Sequence, residues 1–494
     1  MFRRVRSGLP VTEGGRRAVL GAVFAVLAVL LLSPTTRGLT VEQDTIGVGG
    51  EIPARVYVPD DLDHAGAPGV VVVHGLAGSS ALMHTWSLAL AHAGFVVLAP
   101  DLPGHGRSLM SLGDRGAALD GVVSDALSAL RALPFVDEQR VALLGHSMGS
   151  GAVLAVGMAE PDAVRAVVAV SPLPRPVTSD APRDLLLLAG ANERRFVATA
   201  TTLLEQAGGE RGSPGEGDAR SLVIVPMVEH VSILFSPTAA ATSVAWLSAA
   251  LEHDPSGPMP VGPLVGWLFL ALAILTWWRG LVAQAATPAD PPAARVAPWA
   301  ALFLGGVAAT ASLVIIERSV DLADVTGILL AGEVGLWFLM TGAVWLRFGV
   351  RPSRPEARDL GWGVLATMML VALGASTTFA WASWWLSGPR IANAVLLSAL
   401  VLPYSIAAAT VLQGSDGRTA VRMWLLTSFA VTSTLAVATV VIPSTGFLLL
   451  VLPLLPLVLA VTTATSVGVG RPWATGVANA VFLGWLLAML FPLA

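Results

Sequence analysis

A single serine stands between two glycines in the segment GHSMG, residues 145–149. The apolar run RVALL precedes the segment and a stretch rich in Gly and Ala follows it, which predicts a strand, a tight turn and a helix. In such a turn the glycines leave room for a serine side chain that is raised above the end of the sheet. The pattern G-x-S-x-G in this setting makes Ser147 a candidate nucleophile.

A nucleophilic serine needs a general base, and histidine is the usual one. Only two of the eight histidines follow Ser147 in the chain, His230 and His253. His230 comes five residues after the predicted strand SLVIV, whereas His253 lies in the linker LEHDPSG and is expected to be solvated. We therefore predict that His230 is the base.

The third member of such a constellation is an acid that orients the histidine. Glu193 follows the predicted strand LLLLAG and lies between Ser147 and His230 in the sequence, so it is the leading candidate. An acid at this position is also typical of a helix start, where the macrodipole favours negative charge. Three aspartates remain as alternatives, although they do not follow a predicted strand end: Asp162, Asp180 and Asp184.

A developing oxyanion needs preorganised N–H donors. One donor is expected to be the amide of Met148, directly after the nucleophile. The other is expected from the segment HGLAGSS, where we choose the amide of Leu76. His74 opens that segment but precedes the serine in the chain, so we expect it to be structural.

Seven short apolar runs alternate with stretches that favour helices over residues 40–253. Near-continuous apolar strands separated by helices indicate a parallel sheet covered on both faces, an α/β domain. The predicted strands are ARVYV, GVVVVHG, FVVLAPD, RVALLGHS, AVVAVSP, LLLLAG and SLVIVP. The predicted helices are 80–93, 114–132, 149–159, 194–207 and 239–252.

Residues 50–253 resemble the α/β-hydrolase superfamily in three motifs, HGLAGSS, DLPGHGRS and GHSMGSG, which are followed by an acid and a histidine in the order of that family. The resemblance implies hydrolysis of an ester, thioester or amide through an acyl-enzyme, with no metal or cofactor required. It also implies that Asp101, His105 and Arg107 shape the loop beside the site. A glutamate as the acid departs from the commoner aspartate.

The composition points to a membrane protein with an acidic globular part. Hydrophobic residues make up 54% and charged residues 13% of the 494 residues, well below the charged share of soluble proteins. Residues 34–260 hold 13 Arg against 24 Asp and Glu, a net charge of −11, which argues against a nucleic-acid partner. The absence of Cys excludes disulfides and thiolate chemistry.

Residues 1–33 carry an Arg-rich start and an apolar run, which we interpret as a cytoplasmic N-terminus and an uncleaved anchor helix, with a cleaved signal peptide as the alternative. Residues 260–494 are predicted to form an all-α multi-pass domain of about eight transmembrane helices. They lie near 261–278, 297–316, 327–346, 360–386, 391–412, 423–441, 446–468 and 473–492.

The distribution of arginine predicts the orientation in the cell membrane. Two arginines, Arg318 and Arg390, fall in the predicted outer loops after residue 260. The predicted inner loops hold more arginines, so the positive-inside rule predicts that the α/β domain is extracytoplasmic. Nine arginines fall in the predicted inner loops: Arg279, Arg295, Arg347, Arg351, Arg354, Arg358, Arg418, Arg422 and Arg471.

About 14 residues separate AVVAV from LLLLAG, too few for a large lid, so the site is expected to be open. The Gly-rich residues 208–218 are expected to form an exposed loop. An open site held near a membrane favours a small-molecule or lipid acyl substrate, with esterase or lipase activity ahead of peptidase or acyltransferase activity and with membrane lipids as partners. The alternative is a transport or scaffold protein whose hydrolase-like domain binds or senses without catalysis. An acid inside a membrane span can mark a transport path, and Glu333 is the only acid well inside a predicted span.

Overall fold

The computed structural model describes residues 13–47, 50–62, 66–113, 117–257, 263–286, 298–376 and 384–494. After an apolar helix, α1 (Glu13–Leu32), the chain forms a sheet of eight strands. They are β1 (Leu39–Ile46), β2 (Ile52–Pro59), β3 (Ala67–Val73), β4 (Val96–Pro100), β5 (Val136–His146), β6 (Ala166–Val170), β7 (Leu185–Gly190) and β8 (Arg220–Val225). Their spatial order is β1-β2-β4-β3-β5-β6-β7-β8.

The predicted parallel sheet is confirmed from β4 across to β8. Strand β2 runs antiparallel to both of its neighbours. All seven predicted strands are present, and β1 is an additional one. Its sequence, LTVEQDTI, keeps most side chains exposed at the edge of the sheet, so it lacks the apolar run that marks the buried strands.

Helices cover both faces of this sheet. Alternate strand residues face opposite sides, so Val71 and Val73 of β3 join one core and Val70 and Val72 join the other. The first core includes residues of α3, α4 and α5, and the second includes residues of α2 and α6. The bounds are α2 (His84–His92), α3 (Ala117–Arg131), α4 (Met148–Ala159), α5 (Arg194–Gln206) and α6 (Pro237–Ala250).

The second half of the chain is helical. Among the described residues, eight helices, including α1, are long and apolar enough to cross a membrane: α1, α7, α8, α11, α12, α13, the stretch from α14 to α15, and α16. The bounds are α7 (Pro263–Ala285), α8 (Pro298–Ile316), α9 (Leu322–Thr326), α10 (Ala331–Val344), α11 (Ala357–Ser376), α12 (Gly388–Val411), α13 (Gly417–Val441), α14 (Leu448–Val451), α15 (Leu455–Ser466) and α16 (Pro472–Leu490). The composition of this half therefore indicates a membrane protein.

The third predicted segment, 327–346, is not one helix. Gly327 and Leu330 both adopt positive φ of 65°, which interrupts the helix between α9 and α10. Helix α10 continues into a π-helical turn at Trp345–Gly349. Glu333, the acid noted in this segment, is buried in the first turn of α10. The predicted end of the next segment includes residues 377–383, which lie outside the described residues.

Helix α1 packs against α7. The Arg17 guanidinium donates to the carbonyl of Arg279 at 2.8 Å, and the Trp277 indole donates to the carbonyl of Ala18 at 3.2 Å. Farther along, the rings of Phe24 and Phe269 lie 5.8 Å apart. These contacts join α1 to the helical half along most of its length.

The two halves meet at the loop after β4. Leu493 forms two backbone hydrogen bonds there, donating to Gly104 at 2.9 Å and accepting from Leu112 at 3.0 Å. The buried Arg390 guanidinium donates to the carbonyls of Gly104, Ala488 and Phe491. We call this set of contacts the junction. It ties one loop at the carboxyl edge of the sheet to the helical half.

Candidate active site

Ser147 occupies a strained turn between β5 and α4. Its φ of 51° and ψ of −115° lie outside the regions that side chains ordinarily allow, as a nucleophile turn requires. The flanking glycines are needed for space: a Cβ on Gly145 would lie 2.4 Å from the carbonyl oxygen of Gly149, and one on Gly149 would lie 2.5 Å from that of His74. The Ser147 amide is fixed on the carbonyl of Val170 at 2.9 Å.

His230 lies in the segment after β8 and faces the serine. Its Nε2 is 3.0 Å from Ser147 Oγ. Its own carbonyl accepts a hydrogen bond from His146 Nε2 at 3.0 Å, and the ring of Phe196 stacks on the imidazole at 4.2 Å between centroids. The hydrogen bond from His146 therefore fixes the backbone of His230, and Phe196 packs on one face of its imidazole. His230 is only 4% exposed.

Glu193 precedes α5 at the end of β7, as the sequence predicts. Its Oε2 lies 2.9 Å from His230 Nδ1. Its Oε1 accepts hydrogen bonds from Ser171 Oγ at 2.7 Å and from the amide of Gly190 at 2.5 Å. Both carboxylate oxygens therefore have hydrogen-bond partners. Glu193 and Ser147 are each 7% exposed, so the pair lies in a buried site. One alternative acid, Asp184, instead accepts from backbone amides in residues 215–219.

The two expected oxyanion donors flank the serine. A Cβ on Gly75 would lie 3.1 Å from Ser147 Cβ, so the turn that carries Leu76 passes directly against the nucleophile. Met148 begins α4, where helix N–H groups are free of intrahelical partners. Within the described part of the chain, neither the Leu76 nor the Met148 amide donates to a protein acceptor. Both amides are therefore without a protein acceptor beside the serine, among the residues that the structure describes.

The loop after β4 braces the turn that carries Leu76. Buried Asp101 accepts a hydrogen bond from the Ser80 amide at 2.7 Å and another from the Arg107 amide at 3.0 Å. The carboxylate thus joins the loops that follow β3 and β4. His105 lies in the same loop with Nδ1 2.7 Å from the carbonyl of Pro103. These contacts agree with the loop-shaping role that the resemblance implies.

Two further histidines beside the site are buried and neutral. Burial lowers the pKa of His74, and its Nε2 accepts a hydrogen bond from the Leu102 amide at 3.0 Å. Burial and the neighbouring His230 hold the pKa of His146 well below its usual range. Their neutrality leaves the site without a fixed positive charge from either ring. His74 is structural, as expected.

Sequence reasoning missed three residues of the site and misjudged one outside it. His146, Ser171 and Phe196 contact the predicted residues, and the only sequence signals are their positions directly before the serine, directly after β6 and three residues after Glu193. The expectation that His253 is solvated is wrong. It is half-buried, with Nε2 2.8 Å from a backbone carbonyl, that of Ala93, and it takes no part in the site.

Comparison with known proteins supports the fold of this region. A family described as serine aminopeptidase, S33, matches residues 67–210, which include Ser147 and Glu193 but end before His230. Together with the sheet and the serine turn, the match shows that the chain contains an α/β-hydrolase domain, joined to a helical region with several long apolar helices.

Two curated relatives are cutinases. Cutinase 2 of Thermobifida cellulosilytica is 32% identical over 130 residues, covering 26% of this chain and 45% of the relative. Cutinase est2 of Thermobifida alba is 27% identical over 215 residues, covering 42% and 66%. The chain thus spans less than half the length of the first of them.

Among solved structures, a predicted CIB-like hydrolase from Thermoplasma acidophilum is 24% identical, with a TM-score of 0.35, and covers 42% of this chain and 99% of that one. A putative dienelactone hydrolase from Klebsiella pneumoniae is 19% identical, with a TM-score of 0.34, and covers 42% and 98%.

Proposed function

We propose that this protein is a membrane-embedded serine esterase that cleaves a carboxylic ester through Ser147, His230 and Glu193. The observation that carries the proposal is the unbroken hydrogen-bonded series from Glu193 Oε2 through the imidazole to Ser147 Oγ, with spacings of 2.9 and 3.0 Å. Spacings of this size permit proton transfer between the partners. The match to a serine hydrolase family and to cutinases supports the same reaction class.

In the first half-reaction Ser147 Oγ attacks the ester carbonyl carbon, and His230 Nε2 accepts the serine proton. The amides of Leu76 and Met148 donate to the oxyanion. The carbon–oxygen bond to the alcohol then breaks, and the alcohol leaves with the proton from His230. In the second half-reaction, water attacks the acyl carbon while His230 Nε2 accepts a proton from it. The bond from the acyl carbon to Ser147 Oγ then breaks, and His230 returns the proton to Oγ. The carboxylic acid is released and the serine is restored.

Glu193 keeps the imidazole in the productive orientation and stabilises its cation. The carboxylate accepts at Oε2 from His230 Nδ1–H, which leaves Nε2 free to accept the serine proton. The two donors at Oε1, Ser171 and the Gly190 amide, fix the plane of the carboxylate. The acid therefore acts on the reaction through the histidine.

We also propose that the hydrolase domain, residues 40–253, lies outside the cytoplasm, with residues 1–33 as a cytoplasmic N-terminus and anchor and residues 260–494 as the membrane domain. The arginine distribution favours this orientation. The junction agrees with this orientation. It joins the hydrolase domain to Arg390 and Leu493, which lie at helix ends predicted to be outside. Short-chain and lipid-like esters near the membrane surface are the substrates we expect.

The test is fluorophosphonate labelling of isolated membranes, followed by hydrolysis of 4-nitrophenyl butyrate. We expect labelling and hydrolysis in the wild type and in Ser213→Ala, which alters an exposed serine, and neither in Ser147→Ala. A folded wild-type protein that is not labelled would refute the esterase proposal. Labelling with cleavage of an aminoacyl amide but of no ester would replace it with a peptidase.

A further inference from the structure

A groove with a volume of about 740 Å³ lies between the segment after β6 and the outer face of α5. Four consecutive residues form one wall. The other wall is a single helical face, because its members occupy positions i, i+3, i+4, i+7, i+8 and i+11 of α5. The lining residues are Pro174, Arg175, Pro176, Val177, Arg195, Ala198, Thr199, Thr202, Leu203 and Gln206.

One wall of the groove continues from the nucleophile turn. The Leu173 amide donates to Ser150 Oγ at 3.0 Å, and that hydroxyl donates to the carbonyl of Ser147 at 2.5 Å. The guanidinium of Arg175 lies over the first turn of α4, where its Nε is 3.4 Å from the position of a Cβ on Gly151. Gly151 is four residues after the serine, which is about 6 Å along a helix.

The other wall continues from the base and the acid. Glu193 precedes α5, and Phe196 in its first turn stacks on His230. Arg195 stands between them in the sequence and points to the groove instead of the core, since it is exposed and lines the groove. Both walls therefore begin at residues of the proposed catalytic site.

The charge of the groove is opposite to that of its domain. Residues 34–260 carry a net charge of −11, yet the charged residues that line the groove are Arg175 and Arg195. Arg175 is partly offset by Asp120 at 3.5 Å, whereas Arg195 has no carboxylate partner within the described ranges. The remaining lining combines apolar surface with hydroxyl and amide groups. Such a lining suits a short carbon chain that ends in an anion.

We propose that this groove binds an anionic group of the substrate, so that the enzyme prefers esters carrying a carboxylate or phosphate over neutral esters of the same size. The inference rests on the proposed esterase function. Arg195 supplies a cation without a carboxylate partner among the described residues, and Arg175 holds a second cation over the first turn of α4. Both are guanidinium groups, which match the two oxygens of a carboxylate or phosphate.

The test compares kcat/KM for matched esters, with the anion placed on either side of the scissile bond. One pair is the 4-nitrophenyl monoester of succinate against 4-nitrophenyl butyrate, which share a four-carbon acyl chain. The other is 4-carboxyphenyl acetate against 4-carbamoylphenyl acetate, whose carboxamide is neutral and close in size to the carboxylate. We expect the anionic member of at least one pair to be preferred, and we expect Arg195→Gln to reduce that preference about tenfold, the size of one lost charge-assisted hydrogen bond.

Arg194→Gln is the matched control, because Arg194 is the neighbouring exposed arginine and does not line the groove. This variant should retain the wild-type preference for anionic esters. In the wild-type enzyme, 0.5 M NaCl should weaken that preference, because salt screens the guanidinium charges. An enzyme that cleaves the neutral esters but shows no anionic preference in either pair would overturn this inference alone. Loss of cleavage of all four esters, with no labelling of Ser147, would instead refute the esterase proposal.

Discussion

The hydrolase domain and the helical half use their buried polar groups in different ways. In the hydrolase domain, side chains distant in sequence converge on Ser147 through the hydrogen bonds of His230 and Glu193. In the helical half, buried hydroxyls mostly return to carbonyls of their own helix, as Thr410 does to Ile406 at 2.7 Å and Thr434 does to Ala430 at 2.6 Å. A reactive site requires long-range convergence, whereas a helical hydroxyl can be satisfied by a carbonyl of the preceding turn.

Replacing an acid in each region gives the largest contrast. Glu193→Gln should lower kcat for ester hydrolysis about 10³- to 10⁴-fold, because the amide cannot stabilise the imidazolium and favours the wrong tautomer. Glu333→Gln makes the same chemical change to the buried acid of α10 and should alter kcat less than twofold. Steady-state kinetics in detergent micelles measure both. Equal losses in the two variants would contradict the separation of chemistry from the helical half.

Acidification should act chiefly on the hydrolase domain. Burial, aided by Arg55, lowers the pKa of His84 to about 3, and burial also lowers the pKa of His74, His105 and His146. A histidine with a lowered pKa is protonated first in the unfolded chain. Its stabilising contribution is complete above the unfolded pKa of about 6.5 and is lost as the pH falls below it, by up to about 1.4 kcal/mol per pH unit for each histidine.

Hydrogen exchange between pH 7 and pH 5 can separate the two regions, after correction for the intrinsic exchange rate. We expect protection in β3 to β7 to fall as the pH decreases. The helical half has no histidine and should lose much less protection. His84→Gln should lessen the pH dependence by about one proton. A helical half that loses protection in parallel with the sheet would show that the two regions unfold as one unit.

Arg390 tests how firmly the two regions are joined. Arg390→Gln removes the charged donor that serves Gly104, Ala488 and Phe491, and we expect the junction to lose about 2 kcal/mol. The expected result is faster hydrogen exchange in residues 103–112, while Ser147 is still labelled by fluorophosphonate. Arg318→Gln, which alters the other arginine of the predicted outer loops, should leave this exchange unaltered. Unchanged exchange in Arg390→Gln would mean that the two backbone bonds of Leu493 hold the junction without the guanidinium.

The parts of the site that follow from local constraints could be predicted from the sequence. Gly145 and Gly149 belong to a local G-x-S-x-G pattern between a strand and a helix. Chain order then selects His230, and the position after a predicted strand end selects Glu193. The contacts of Ser171 could not be predicted, because they depend on how β6 and β7 pair. Strand β1 was missed for a related reason, since an exposed edge strand has no apolar run to mark it.

In the helical half, hydropathy predicted the segments but not their interruptions. The break before α10 depends on the left-handed backbone of Leu330, a residue type that ordinarily continues a helix. The close packing of α1 on α7 likewise leaves no signal in composition. Apolar content fixes where a helix can lie in a membrane, and side-chain packing decides how each helix is shaped and paired.

Ser171 should give the smallest effect and the finest distinction. Its hydroxyl donates to Glu193 Oε1, so Ser171→Ala leaves that oxygen with only the Gly190 amide and lets the carboxylate turn. We expect kcat to fall about tenfold, the size of one hydrogen bond to a charged group, with KM unchanged, because Ser171 acts through the acid and not on the substrate. The φ of 47° at Ser171 provides a control. Ser171→Gly relieves this backbone strain but also removes the hydroxyl, so it should match Ser171→Ala in kcat while being more stable to heat. If kcat instead follows thermal stability across the two variants, Ser171 supports the fold and does not position the acid.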